Sequence, residues 1–127
     1  MRVVYIAHPL GHGPDRERNR ANAQKWCAHL AEHYRIAPVA DWILLSGEWT
    51  EEKRELGLTI DKALIARCDE VWMVGGRVSP GMQIEADHAR ALGKPVRDLT
   101  CFGYEAFVCD ELDELDERNP SHTKACS

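Results

Sequence analysis

Three short apolar runs rich in β-branched residues, each followed by a glycine- or proline-bearing loop and then by a longer amphipathic stretch, limit what this chain can fold into. Residues 2–7 (RVVYIA) end at His8-Pro9, residues 70–75 (EVWMVG) run into a glycine-rich loop, and PVRDL follows Lys94-Pro95. A fourth strand is predicted around Arg35 to Val39. Apolar runs of this length, bounded by turn residues, suit buried strands. Strand, helix, strand in regular alternation implies parallel strands joined by right-handed crossovers, with helices over both faces of the sheet.

Between the strands, Asp15 is placed as the cap of a helix running to about Tyr34, with Ala23, Trp26, Cys27, Leu30 and Ala31 on one face. Thr50 is expected to cap a second helix to about Arg67, Glu51 and Glu52 meeting its dipole. Ser79-Pro80 opens a third helix to Leu92, closed by Gly93. The stretch ADWILLSGEW is apolar without a clean period and is expected to be a long, partly ordered loop. The expected fold is therefore α/β, a single-domain flavodoxin- or Rossmann-like three-layer sandwich with a parallel sheet of four to five strands. It spans residues 1–101, and residues 102–127 are expected to form an acidic arm that is partly disordered toward NPSHTKACS.

Composition narrows the function. A net charge of -5 over 127 residues supplies no basic field for a nucleic-acid backbone, which favours a small substrate. Five cysteines without a C-x-x-C pair signal neither a disulfide framework nor a zinc cluster, so a reducing, cytoplasmic setting is expected. No run has the length of a membrane span. No membrane partner, metal or redox cofactor is implied.

In an open parallel sheet, ligands bind beyond the carboxyl ends of the strands, here the loops after Ala7, Val39 and Gly75. The loop from Gly75 to Gly81 leads into a helix N-terminus, whose N–H groups and dipole suit an anion, although a tight turn with Ser79 as an ordinary cap explains it equally well. Glu85, about one turn into that helix, is close enough to its positive end to be held ionised at the pocket rim, although periodicity alone favours a solvated helix residue. Asp61 falls on a helix without spacing that fixes its direction. Trp42 and Trp49 suit either a lid stacking on a base or core filling, and Arg16, Arg18 and Arg20 either a phosphate contact or a solvated helix face.

The stretch RCDEVWMVGGRVSPGMQIEADHARALGKPV, with its S-x-G-x-x-x-E core and A-x-x-x-G-K-P-V continuation, resembles the nucleoside 2-deoxyribosyltransferase superfamily, which includes 2′-deoxynucleoside 5′-phosphate N-hydrolases and phage-type relatives. The opening VVYIAHPLG is similar to the same family's first strand and substrate loop. The resemblance implies that Glu85 attacks the anomeric carbon of a sugar and that Asp61, eight residues before Asp69, assists departure of the base. It makes Tyr5, His8, Pro9 and Gly11, with Gly75, Ser79, Gly81 and Met82, the candidate substrate-binding residues.

Two departures stand out. His8 replaces a residue that is usually small, and the hydrolases' first-loop arginine has no counterpart in PLGHG, where His8 and His12 are the alternative donors or simple loop residues. The resemblance implies an N-glycosidase acting on a nucleoside or nucleoside 5′-monophosphate, hydrolase before transferase because of Ser79 and the short chain. It also implies a homodimer, or a multiple of dimers, whose neighbouring subunits close the pocket. The alternative expectation is a nucleotide-binding sensor or phage-type accessory domain without turnover.

Overall fold

The computed structural model describes residues 1–114. Four strands, β1 (Val3–Ala7), β2 (Ala37–Val39), β3 (Glu70–Met73) and β4 (Val96–Asp98), form one sheet in the order β2-β1-β3-β4, with every pair parallel. The helices are α1 (Pro14–Tyr34), α2 (Asp41–Glu48), α3 (Arg54–Ile65), α4 (Pro80–Ala91) and α5 (Tyr104–Glu114), with a 3-10 turn at Glu51–Lys53 before α3. The α/β sandwich with a four-stranded parallel sheet is thus as the alternation required. Pro38 sits inside β2 because that strand is at the sheet edge, where a missing N–H costs no ladder bond.

Side chains alternate across the central strands and divide the interior in two. Val4, Ile6, Trp72 and Val74 point to the side of α1 and α5, where they meet Trp26, Leu30, Tyr34, Leu99 and Phe107. Tyr5, Ala7, Val71 and Met73 point the other way, against Ile65 of α3 and Met82, Ala86 and Ala89 of α4. Phe107 is fully buried against Trp26, so the packed unit continues past residue 101. The expectation for NPSHTKACS and Leu115 falls outside the described residues.

Several boundaries differ from the sequence reading. Asp15 does not cap α1: Gly13 holds the N-cap position at φ 54° with Pro14 following, and Asp15 is in the first turn. His29 and Tyr34, rather than Cys27 and Ala31, complete its buried face. Thr50 makes no side-chain cap; a 3-10 turn intervenes before α3. Gly93, at φ 73°, does close α4, its N–H and that of Lys94 reaching Arg90 and Ala89 carbonyls at 2.9 Å.

The largest difference is α2. ADWILLSGEW is a helix over Asp41–Glu48, not a partly ordered loop. Its apolar residues surround the axis, which erased the period: Ile43 is buried while Leu44 is 77% exposed. What orders it is tertiary. Arg16 of α1 donates to the Ser46 and Trp49 carbonyls at 3.2 and 2.7 Å, Arg20 donates to the Ile43 carbonyl at 2.9 Å, and the Trp42 indole N–H reaches the Ile6 carbonyl at 3.1 Å. The α1 arginines are thus mostly committed to holding α2 and to i,i+3 pairs with Asp15 and Glu17.

Candidate active site

The chain crosses from one face of the sheet to the other between β1 and β3, since β1 leads into α1 and β3 into α4 on the opposite side. Such a switch leaves a crevice beyond the strand ends. A cavity of about 570 Å³ occupies it, lined by His8, Gly11 and His12 after β1, by Asp41, Trp42 and Trp49 around α2, by Arg54 and Asp61 of α3, and by Arg77, Ser79, Gly81, Met82 and Glu85 around the start of α4. All three expected loops reach it.

Beside His8, its most buried polar residues are two acids. Glu85 and Asp61 are each only 6% exposed, yet both reach the cavity wall. The Tyr5 hydroxyl, buried under the sheet's α3/α4 face, donates to Glu85 Oε2 at 2.5 Å. Asp61 and Asp41 line the same cavity and interact electrostatically, Asp61 with both Glu85 and Asp41, while Asp61 Oδ1 and both Asp41 oxygens are buried without a hydrogen-bond partner. Three carboxyl groups and a phenol thus form a row beside the cavity, from β1 through α4 and α3 to the head of α2.

Burial decides how these groups titrate. Removal from water disfavours the charged form, and a neighbouring carboxylate disfavours it further. Asp61 is pushed up to about 7 by burial and then by Glu85, and Asp41 is also pushed up to about 7, by burial and then by Asp61. Burial raises Glu85 too, opposed by Asp61, by the hydrogen bond from Tyr5 and by the charge of Arg54. Tyr5 is driven well above its ordinary value by burial and by Glu85. The proton order that fits these shifts has Tyr5 donating to a Glu85 carboxylate, with Asp61 and Asp41 the acids that hold protons.

This corrects the sequence view of Glu85 in two respects. It is neither a solvated helix residue nor at an open rim, and its state is not set by the helix dipole. Six residues into α4 it lies past the first turn, where that field has decayed, so desolvation dominates.

His8 is fixed by two partners. Its Nδ1 lies 2.6 Å from the Pro9 carbonyl and its Nε2 lies 2.8 Å from the Asn22 side-chain nitrogen. A carbonyl only accepts, so Nδ1 carries the proton and Nε2 accepts from the amide. The ring is a neutral wall stacked 6.1 Å from Trp42, its pKa lowered by burial, and it offers no free donor to a phosphate. Gly75 is required by this arrangement: at φ 108°, a Cβ there would lie 2.6 Å from the His8 ring and 2.7 Å from Pro9.

The other candidates divide. Gly11, Ser79, Gly81 and Met82 line the cavity, whereas Pro9 and Gly75 do not, and Tyr5 reaches the site only through Glu85. Ser79 acts as the α4 cap, its Oγ accepting from Met82 N at 3.3 Å, while Ser79 N donates to the Met82 sulfur at 3.3 Å. His12 pairs with Glu51 across the cavity mouth. Sequence reasoning missed Asp41, Arg54 and Arg77. The only available signal for Asp41 was an acid directly after a strand, which is weak without knowing that α2 is a helix.

A family model described as "Domain of unknown function (DUF7768)" matches residues 2–99, from the start of β1 to the end of β4. No curated protein matches the chain.

Proposed function

The chain belongs to the DUF7768 family, a domain of unknown function, and from its site geometry we propose that it is an enzyme cleaving the N-glycosidic bond of a nucleoside or nucleoside 5′-monophosphate. The observation that carries this reading is the buried row in which Glu85 receives the Tyr5 hydroxyl beside Asp61, at the wall of an open cavity. Glycosidic cleavage needs one ionised and one protonated carboxyl close together, with their environments setting the difference.

In this mechanism a Glu85 oxygen attacks the anomeric carbon while the C–N bond breaks and its electron pair leaves with the base. Asp61 gives its proton to the departing nitrogen. Water then attacks the glycosyl ester and returns a proton to the Asp61 carboxylate, freeing Glu85 with net retention. Arg54, Arg77 and the α4 N-terminus at Gly81 give the same cavity a positive end suited to a phosphate. The first-loop histidines are replaced in that role, because His8 has no donor left.

The test is release of free base from a panel of deoxynucleosides and their 5′-monophosphates. Glu85→Gln should lower turnover by about 10³-fold, equivalent to about 4 kcal/mol. Turnover near wild type in the folded variant would falsify the nucleophile assignment, and binding without base release by the wild type would favour a nucleotide-binding domain instead.

The same reading includes a cytoplasmic homo-oligomer. Among the described residues no helix is long and apolar enough to cross a membrane, and Leu44 of α2 and Leu56 of α3 present exposed apolar surface beside the cavity. Sedimentation at micromolar concentration should give a dimer or larger species; a fully active monomer rules this out.

A further inference from the structure

Asp41, Asp61 and Glu85 line one cavity, and among the described residues none of them makes a salt bridge. Asp61 is 6% exposed, its Oδ1 is shut from solvent without a hydrogen-bond partner, and both Asp41 oxygens are in the same condition. Buried carboxyl groups are stabilised by a positive charge, and where water is excluded that attraction acts over several ångströms without direct contact. The chain's own cations do not supply it at close range. Arg16 hydrogen-bonds to the Ser46 and Trp49 carbonyls, and His8 is neutral. Arg54 and Arg77 are exposed, and an Arg54 Nη2 lies at the head of α4, 3.8 Å from where a Cβ on Gly81 would sit. Among the described residues no three His, Cys, Asp or Glu side chains converge as metal ligands, so the acids are spaced for an extended cation rather than a point-like ion.

The cavity is also walled by rings. Trp42, Trp49 and the neutral His8 line it. Trp42 commits its N–H to the Ile6 carbonyl at 3.1 Å, and its ring lies at 22° to that of His8. With its donor engaged, Trp42 has only ring surface left to offer, and indole attracts a cation more strongly than any other side-chain ring. An uncharged base would gain stacking alone, whereas a positively charged ring gains both from the indoles and from the unpaired acids. Arg54 and Arg77 ask for the opposite charge elsewhere on the same molecule.

We infer that the ligand of this cavity is a nucleotide whose heteroaromatic ring is permanently cationic, an N-alkylated base or a pyridinium, its ring charge drawn to Asp41, Asp61 and the indoles and its phosphate to Arg54 and Arg77. This rests on the glycosidic reading and narrows its substrate class. Glu85 attacks the anomeric carbon, the C–N bond breaks, and its electron pair returns to the ring nitrogen and cancels the ring's charge. No proton from Asp61 is needed by such a leaving group. Water then opens the glycosyl ester, giving its proton to the Asp61 carboxylate and from there to solvent. Each turnover yields uncharged base, sugar phosphate and one proton, whereas an uncharged nucleotide yields no net proton.

The experiment measures binding by calorimetry to the Glu85→Gln protein, which separates recognition from turnover. Two matched pairs of 5′-monophosphates are compared, each as ribosyl and 2′-deoxyribosyl forms: N7-methyladenosine against adenosine, and nicotinamide riboside against its uncharged 1,4-dihydro form. The cationic member should bind at least about tenfold more tightly in one pair or both. Which pair shows the preference tells an N-alkylated base from a pyridinium. Adding Asp41→Asn, or Asp61→Asn as a second removal of charge, should cut the preference by about threefold or more, with the loss falling on the cationic member. Equal or weaker binding of both cationic members, a preference that neither substitution changes, or no binding by any of the ligands overturns the inference.

Base release by the wild type decides the glycosidic reading separately. Cleavage of uncharged nucleotides without a charge preference loses only the cationic ring. A charge preference that falls with Asp41→Asn, without release of base from any nucleotide, keeps the ligand class and removes the glycosidic reading.

Discussion

The two faces of the sheet are built from the same four strands and solve opposite problems. The α1/α5 face is filled by rings: Trp26, Tyr34, Trp72 and Phe107 pack at centroid distances between 5.0 and 6.5 Å. The α3/α4 face uses Ala7, Ala86, Ala89 and two methionines, and into the space left by these small or pliable side chains it admits Tyr5, Asp61 and Glu85. Dense aromatic packing stabilises by area removed from water. Buried acids cost desolvation that hydrogen bonds or a nearby positive charge must offset. Both faces are buried cores, but one is packed mainly by large rings, whereas the other also encloses ionisable groups.

The contrast is easiest to break on the aromatic side. Trp26→Ala should destabilise the protein by about 3–5 kcal/mol, by the transfer and cavity terms of a large buried ring. Urea denaturation at two pH values would measure it, and the loss should be the same at both. A loss under about 1 kcal/mol would mean that the rings under α1 and α5 contribute little to stability.

The carboxyl side should behave differently with pH. Asp41 and Asp61 have folded pKa values raised from the usual carboxylate range to about 7. Between those limits the folded state binds more protons than the unfolded one. Their stabilising contribution is thus fully present below pH 4 and is lost as pH rises through about 7. Asp61→Asn should gain on the wild type by about 1 kcal/mol or more between pH 5 and pH 8. A pH-independent difference between the two proteins would show that Asp61 ionises normally in the fold.

The smallest effect is expected where the two roles meet. Ser79→Ala removes the α4 cap and should cost about 1 kcal/mol of stability. If the cavity's positive end holds a phosphate, the same change should raise KM for a 5′-monophosphate more than for the matching nucleoside. Equal changes would leave Ser79 as a cap and remove one reason for preferring a nucleotide.

How far the sequence reached depended on whether local pattern or distant neighbours set the outcome. The apolar runs around Val4, Val71 and Val96, the Ser79-Pro80 start of α4 and its Gly93 stop are local signals, and each is where it was expected. The parallel sheet follows from their order, because alternating strands and helices have few other ways to bury both faces. Glu85 and Asp61 were found through motif spacing, but not their burial.

What only the tertiary structure decided is the state of the site. Helical order in Asp41–Glu48 comes from arginines of α1, twenty or more residues earlier, whose donors satisfy its carbonyls. That order places Asp41 in the wall of the same cavity as Asp61. The neutral form of His8 depends on Asn22 and Pro9, and the proton order around Glu85 on a phenol eighty residues away in the chain. Strand and helix propensities are properties of neighbours in sequence, whereas desolvation and proton sharing depend on which groups the fold brings into contact.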